Sequence, residues 1–361
     1  MNITFLVANL ACGGVERTVS YLSKYFAENG HNTSIICISE EQFYDISEKV
    51  NLIKLNIHSS SSGRVDRYKK VIQRLLKIDM ALRKVKPDCV VCLDGAMLRF
   101  IRLQYNMGKF KLITSERTNP MMVSEKQRKA TYKAYKRCDG IVFQTERARD
   151  CFPADIASKG VVIPNAVGND LVFGVPKINN RRKTITAVGR LTKQKDYPTL
   201  LKAYALFRKC HPDFTLEIYG DGEDKDMLLQ LAKDMGIEDC VCFKGAVKDS
   251  IIHVASSSCY VMSSIYEGMP NALMEALAVG VPCVSTDCPF GPAELIRNNE
   301  NGILVEVGDY EALADALCKM INNPEFADNC ATEGKKIIDE QNIAAISQRY
   351  LDYIVATVDG K

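Results

Sequence analysis

Short apolar runs alternate along this chain with longer stretches in which apolar residues recur every three or four positions. The first pattern suits strands buried on both faces, the second amphipathic helices. Residues 3–8 read as a first buried strand, and a Cys12-Gly13-Gly14 loop leads into an amphipathic helix over 15–29 that Gly30 ends. Strands are expected at 33–38, 89–93, 111–114, 140–144 and 160–163, with helices between them and a long basic helix over 65–85. Residues 168–182 are polar and turn-rich and lack periodicity, so they are expected to be a linker. The alternation then restarts, with strands at 184–188, 215–219, 240–243, 259–262 and 282–285. Helices are expected at 197–209, 225–235 and 250–256, from 271 onward, and finally over 343–358. This order implies an α/β chain of two doubly wound, Rossmann-like domains, 1–167 and 183–342, facing a crevice at their strand C-termini.

At 361 residues, 47% hydrophobic and 25% charged, the composition suits two ordinary globular domains. No apolar run approaches the roughly 18 residues that span a bilayer. The apolar N-terminus lacks a preceding basic region, since Arg17 follows it, and Asn9-Leu10-Ala11 before Cys12 fits a lipoprotein cleavage site poorly. The fourteen cysteines are scattered, many in strand-like runs, as small buried hydrophobes would be. Cys89-Val-Val-Cys92 has redox or metal spacing, but in a strand its two thiols face opposite sides. So many free thiols point to a reducing cytoplasm. His31, His58, His211 and His253 are isolated in sequence and no D-x-D stands in a metal context, so no metal is expected. Residues 1–167 hold 27 Lys and Arg against 16 Asp and Glu, whereas the remainder holds 20 against 28. The basic half is expected to meet an anionic surface or ligand.

The candidate chemistry centres on Glu267 and Glu275, eight positions apart. Between them Gly268-Met269-Pro270-Asn271 reads as a turn opening a helix, which Asn271 or Ser264 could cap. The free N–H groups of Asn271, Ala272 and Leu273 would then point outward between two carboxylates. Helix N-termini bind phosphate, and carboxylates accept from hydroxyls, so the combination describes a nucleotide sugar. After the strand at 184–188 stands Gly189-Arg190-Leu-Thr-Lys-Gln-Lys195, whose Arg190 and Lys195 could clamp a diphosphate. Gly13-Gly14 would let backbone approach a phosphate closely. Tyr219-Gly220-Asp-Gly-Glu223 and Phe243-Lys-Gly-Ala-Val247 end two further strands, and Gly220 and Val247 are candidates for nucleotide contact. Thr114-Ser-Glu116-Arg117-Thr-Asn-Pro120 follows a strand of the first half; a capped helix start at Thr118 or Asn119 is compatible with it.

The stretch from Ser263 to Asp287 resembles the E-x7-E segment of retaining glycosyltransferases of family 4, which have the GT-B fold. Gly189 to Asp196 is similar to that family's G-R-L-x-x-x-K motif, and Ala11 to Arg17 to its G-G-x-E-R loop. Cys288-Pro-Phe-Gly-Pro-Ala-Glu-Leu-Ile with Asn301-Gly-Ile-Leu-Val resembles its continuation. The variant resembles bacterial enzymes that build capsule, O-antigen or lipid-linked oligosaccharides. The resemblance implies a UDP-sugar co-substrate, no cofactor and no nucleic-acid partner. The implied reaction moves a hexose or N-acetylhexosamine to a hydroxyl of a glycan on a polyprenyl diphosphate carrier, at the inner face of the cytoplasmic membrane. It further implies that Glu275 holds the ribose, that Glu267 holds the sugar, and that Arg190 and Lys195 stabilise the departing diphosphate. The final helix is implied to cross back onto the first domain. Many members carry histidine where Arg117 stands, so a histidine-based account of sugar binding does not transfer; whether Glu116 assists stays open. Alternatives on the same fold are a UDP-sugar epimerase or phosphorylase, and a non-catalytic nucleotide-sugar-binding subunit.

Overall fold

Seven parallel strands carry the first half of the chain, in the order β3-β2-β1-β4-β5-β6-β7. They are β1 (Asn2–Val7), β2 (Asn32–Cys37), β3 (Asn51–Lys54), β4 (Cys89–Cys92), β5 (Lys111–Glu116), β6 (Gly140–Phe143) and β7 (Gly160–Val162). The computed structural model describes residues 1–11, 13–57, 64–101, 105, 107–117, 123–168, 181–247 and 250–360. Helices α1 (Gly14–Glu28), α2 (Arg64–Val85), α3 (Glu125–Tyr135), α4 (Glu146–Asp150) and α5 (Ala154–Ala157) make the crossovers. β4 and β6 are buried throughout, and β1, β2 and β5 beyond their first residue, which explains their continuous apolar runs. Cys89 and Cys92 join different core clusters, on opposite faces of the sheet. Every described cysteine is a free thiol.

The second half repeats the plan with six parallel strands, ordered β10-β9-β8-β11-β12-β13. These are β8 (Arg182–Val188), β9 (Thr215–Tyr219), β10 (Val241–Gly245), β11 (Ser257–Met262), β12 (Cys283–Thr286) and β13 (Ile303–Val305). Helices α6 (Tyr197–Cys210), α7 (Lys225–Asp234), α8 (Ser250–Ala255), α9 (Asn271–Ala278) and α10 (Pro292–Leu295) accompany them. Residues 306–342, to which the apolar pattern assigns no element, hold α11 (Tyr310–Asn322), α12 (Pro324–Gly334) and α13 (Ile337–Glu340). Asp309 caps α11 through Ala312 N–H, and Asn323 with Pro324 opens α12. In both sheets the strand order reverses direction beside the first strand. That reversal leaves a switch point between β1 and β4, and another between β8 and β11.

The chain divides into Met1–Ala166 with Ile343–Lys361, and Val167–Asn342. Of the expected linker, residues 169–180 lie outside the described residues. The last helix, α14 (Ile343–Asp359), belongs to the first unit. It buries Ile346, Tyr350, Leu351 and Ile354 in the core beside β1 and β4. Tyr353 Oη accepts from Ile141 N–H at 2.9 Å, and Arg349 donates to the Val162 carbonyl at 2.6 Å. Because Ile354 is fully buried there, Ile354→Ala is expected to destabilise the first unit by about 2–5 kcal/mol. Urea titration followed by circular dichroism checks this; an unchanged midpoint would show that α14 is not part of that core.

Candidate functional site

The second unit's switch point gathers the charged groups. The loop after β8 runs from Gly189 to Asp196, and the loop after β11 from Ser263 to Pro270. They meet where Lys195 Nζ lies 2.6 Å from Glu267 Oε1. Both side chains are largely buried, 17% and 9% exposed, so solvent screens the pair little. Ser264 Oγ donates to the same carboxylate oxygen at 2.7 Å, and Gln194 Nε2 donates to Oε2 at 3.3 Å. Ser263 Oγ donates to the Lys195 carbonyl at 2.7 Å, and Gln194 Nε2 to the Tyr266 carbonyl at 3.0 Å. Each loop therefore holds the other's charged residue.

Two glycines shape the loop that carries Lys195. A Cβ at Gly189 would lie 3.0 Å from Lys195 Cε and 3.3 Å from Tyr197 Oη, which donates to the Gly189 carbonyl at 3.0 Å. Gly220 sits at φ +147° and a Cβ there would overlap the Gly189 carbonyl oxygen. Gly220 thus seats the β9 loop on the β8 loop. Arg190 stands beside them, exposed, and its side chain makes no hydrogen bond or ion pair among the described residues. Val247 follows β10 and is 40% exposed.

Helix α9 begins behind Glu267. Pro270 occupies its cap position and no side chain caps it. The expected capping by Ser264 or Asn271 is thereby corrected: Ser264 bonds Glu267 instead, and Asn271 already lies inside the helix. The cap residue Pro270 has no side-chain acceptor for the first N–H groups, those of Asn271, Ala272 and Leu273. The Leu273 side chain is fully buried, Met269 is nearly so, and Gly268 is half-buried. Glu275 lies one turn into α9, half-buried. Under both carboxylates lies Tyr260, fully buried, with a hydroxyl that has no hydrogen-bond partner among the described residues. Burial holds its phenol well above the ordinary range, and Tyr197, Cys283, Glu267 and Glu275 add to the effect. Cys288 is also buried beside the pair; burial, then the Glu267 charge, pushes its thiol up to about 12 against the pull of Lys195.

The first unit's switch point holds a different arrangement. Gly13 precedes α1 and Gly14 begins it, with the Glu16 carboxylate folded back over Gly13. Burial raises the Glu16 pKa and the Asp94 charge adds to this, while Arg117 opposes it. Arg117 itself is tied down. Its Nη1 donates to Thr18 Oγ1 and Asn165 Oδ1, both at 3.0 Å, and its Nη2 donates to Tyr350 Oη at 2.9 Å. It thus joins α1, the end of β5, the segment after β7 and α14. Glu116 is the buried last residue of β5 and accepts from Tyr135 Oη at 3.0 Å. Thr118, Asn119 and Pro120 lie outside the described residues, as does Cys12.

Sequence reasoning missed Gln194, Tyr197, Tyr260 and the role of Ser264. Gln194, inside the lysine-rich loop, carried a signal, and Glu16 stood in the G-G-x-E-R stretch without an assigned role; the others depend on which strands are neighbours. Among the described residues no cluster of His, Cys, Asp or Glu could hold a metal ion, and no helix is long and apolar enough to cross a membrane.

Two family descriptions match the chain: Glycosyltransferase Family 4 over residues 12–170, and Glycosyl transferases group 1 over residues 170–337. A protein of Haemophilus influenzae described as an uncharacterized glycosyltransferase is 28% identical over 352 residues, 96% of this chain and 98% of that protein. A GalNAc-alpha-(1->4)-GalNAc-alpha-(1->3)-diNAcBac-PP-undecaprenol alpha-1,4-N-acetyl-D-galactosaminyltransferase of Campylobacter jejuni is 26% identical over 363 residues, 98% of each chain. Among solved structures, Anabaena Alr3699/HepE in complex with UDP has the same fold, with a TM-score of 0.80 at 18% identity over 99% of this chain and 100% of that one.

The two arginines should separate in a stability measurement. Arg117→Met removes three hydrogen bonds to buried side chains and is expected to cost about 1–3 kcal/mol. Arg190→Ala removes an exposed side chain and should change stability by no more than about 0.5 kcal/mol. Thermal melts of both variants test this; equal losses would remove the distinction.

Proposed function

We propose that this chain, which belongs to glycosyltransferase family 4 and has the GT-B fold, moves a hexose or N-acetylhexosamine from a UDP-sugar to a hydroxyl of a lipid-linked glycan. The observation that carries the reading is the buried Lys195–Glu267 pair in front of the start of α9. A departing UDP gains negative charge on its diphosphate. Preorganised cations and N–H groups aimed at that charge lower the barrier. Lys195 has three N–H donors and uses one on Glu267, so the others are available to phosphate oxygens. Arg190, exposed beside it, adds a bidentate donor. Glu267, oriented by Ser264, Gln194 and Lys195, accepts from hydroxyls of the sugar, and Glu275 from those of the ribose. Anomeric configuration is retained through a front-face displacement in which the leaving phosphate oxygen takes the acceptor proton. Cationic side chains perform the electrostatic task that a divalent ion performs elsewhere, so the reaction needs no metal.

The acceptor is proposed to be a glycan on a polyprenyl diphosphate at the inner face of the cytoplasmic membrane. The printed name of the Campylobacter jejuni relative, with its PP-undecaprenol substrate, supports this class of acceptor. So does the basic balance of residues 1–167.

UDP release from a panel of UDP-sugars, with and without a polyprenyl-diphosphate glycan, tests the reading. Acceptor-dependent release that survives EDTA is expected, with product of unchanged anomeric configuration by NMR. Arg190→Ala should lower turnover about a hundredfold while leaving the fold intact, and Lys195→Ala should lower it at least as much. Complete loss in EDTA, restored by magnesium or manganese, would contradict the mechanism. Full activity of the Arg190→Ala, Lys195→Ala double variant would contradict the diphosphate clamp.

A further inference from the structure

Helix α2 carries two apolar faces, and only one of them is packed. Ile78, Ala81 and Leu82 are buried against the sheet, in the core cluster with Ile36 and Val90. On that side Lys77 Nζ donates to the Leu55 carbonyl at 2.7 Å, and Arg74 lies over the Phe100 ring at 5.8 Å. The other face is left outside. Tyr68, Ile72, Leu76 and Met80 stand one turn apart and are 70%, 55%, 60% and 68% exposed. Leu75 and Val71, on the shoulder of the same stripe, are also exposed. A stripe of this length is unusual on a surface that meets only water.

We infer that the outward stripe of α2 is a membrane-docking face that lies in the interfacial layer of an anionic bilayer. Charge selects this occupant. Over residues 68–86 seven Lys and Arg accompany one acid, Asp79, which Arg83 holds at 2.7 Å. Lys69 and Lys84 are exposed on the flanks of the stripe, where their stems cover apolar surface and their ammonium groups reach headgroups. An apolar stripe edged by lysines is the pattern of helices that lie in the plane of an interface. A second copy of the chain fits worse. A two-fold pairing through this face would set the same basic flanks against each other. The inference deepens the membrane reading above by naming the surface that attaches. It is tested without donor or acceptor, so failure of glycosyl transfer and failure of docking are separate results.

The test is sedimentation of the full chain with vesicles of phosphatidylglycerol and vesicles of phosphatidylcholine. At low salt, partitioning to phosphatidylglycerol should exceed that to phosphatidylcholine at least about tenfold, and should fall about tenfold or more by half-molar salt. Ile72→Gln with Leu76→Gln keeps every charge and should reduce binding about tenfold. Lys69→Gln with Lys70→Gln keeps the stripe and should reduce binding to phosphatidylglycerol by a similar factor. Melting temperatures should stay unchanged, because these side chains lie outside the core. Negligible binding to both vesicles, or double variants that bind like the parent, would overturn the inference. So would a solution dimer of the parent chain that Ile72→Gln with Leu76→Gln dissociates.

Discussion

The ion pair between Lys195 and Glu267 organises the second unit's functional end. Two opposite charges so little exposed are costly to separate, because either alone would be a buried charge without compensation. The pair therefore fixes the distance between two loops that are 72 residues apart in sequence and adjacent only because β8 and β11 are neighbours. Ser264 and Gln194 fill further acceptor sites on the carboxylate. Burial and the Glu267 charge hold the neighbouring Cys288 thiol above its usual range. Gly189 leaves room for the Lys195 stem, and Gly220 lets the β9 loop close on the loop that carries it. The result is a cation whose position is set before any ligand arrives, which is what transition-state stabilisation requires.

The first unit solves its own assembly with a different cation. Arg117 holds α1, the segment after β7 and α14 through three hydrogen bonds, so the chain's last helix is tied to the end of its fifth strand. A guanidinium committed in this way has little freedom to follow a substrate. Its neighbour Glu116 is likewise inside, bonded to Tyr135. The two arginines that sequence motifs single out, Arg117 and Arg190, thus differ physically: one is half-buried and bonded, the other exposed and unengaged among the described residues.

Much of this was legible in the sequence, for a definite reason. Strands buried on both faces write continuous apolar runs, and these gave both sheets nearly strand for strand. Two edge strands do not: β3 is exposed at both ends and only half-buried between, and β13 is three residues long, so their patterns are weak. The loop motifs at Gly189–Lys195 and Glu267–Glu275 were visible because they are local. Their convergence was not, since it comes from strand order. Ser264 shows the limit of local rules, as its spacing fits a helix cap while its hydroxyl bonds the carboxylate three residues on. In α2 the apolar positions were plain, but only the fold separates those that face the sheet from those that face outward.

The central claim is that Arg190 and Lys195 form a diphosphate clamp at the second unit's switch point. Calorimetric titration of the full chain with UDP and with UMP tests it most directly, because the two ligands share base and ribose and differ in the β-phosphate. Charge-assisted bonds to that phosphate predict UDP binding at least about tenfold tighter than UMP, with the advantage lost in Lys195→Ala. Equal affinity for UDP and UMP, or an advantage for UDP that persists in the Arg190→Ala, Lys195→Ala double variant, would contradict the account.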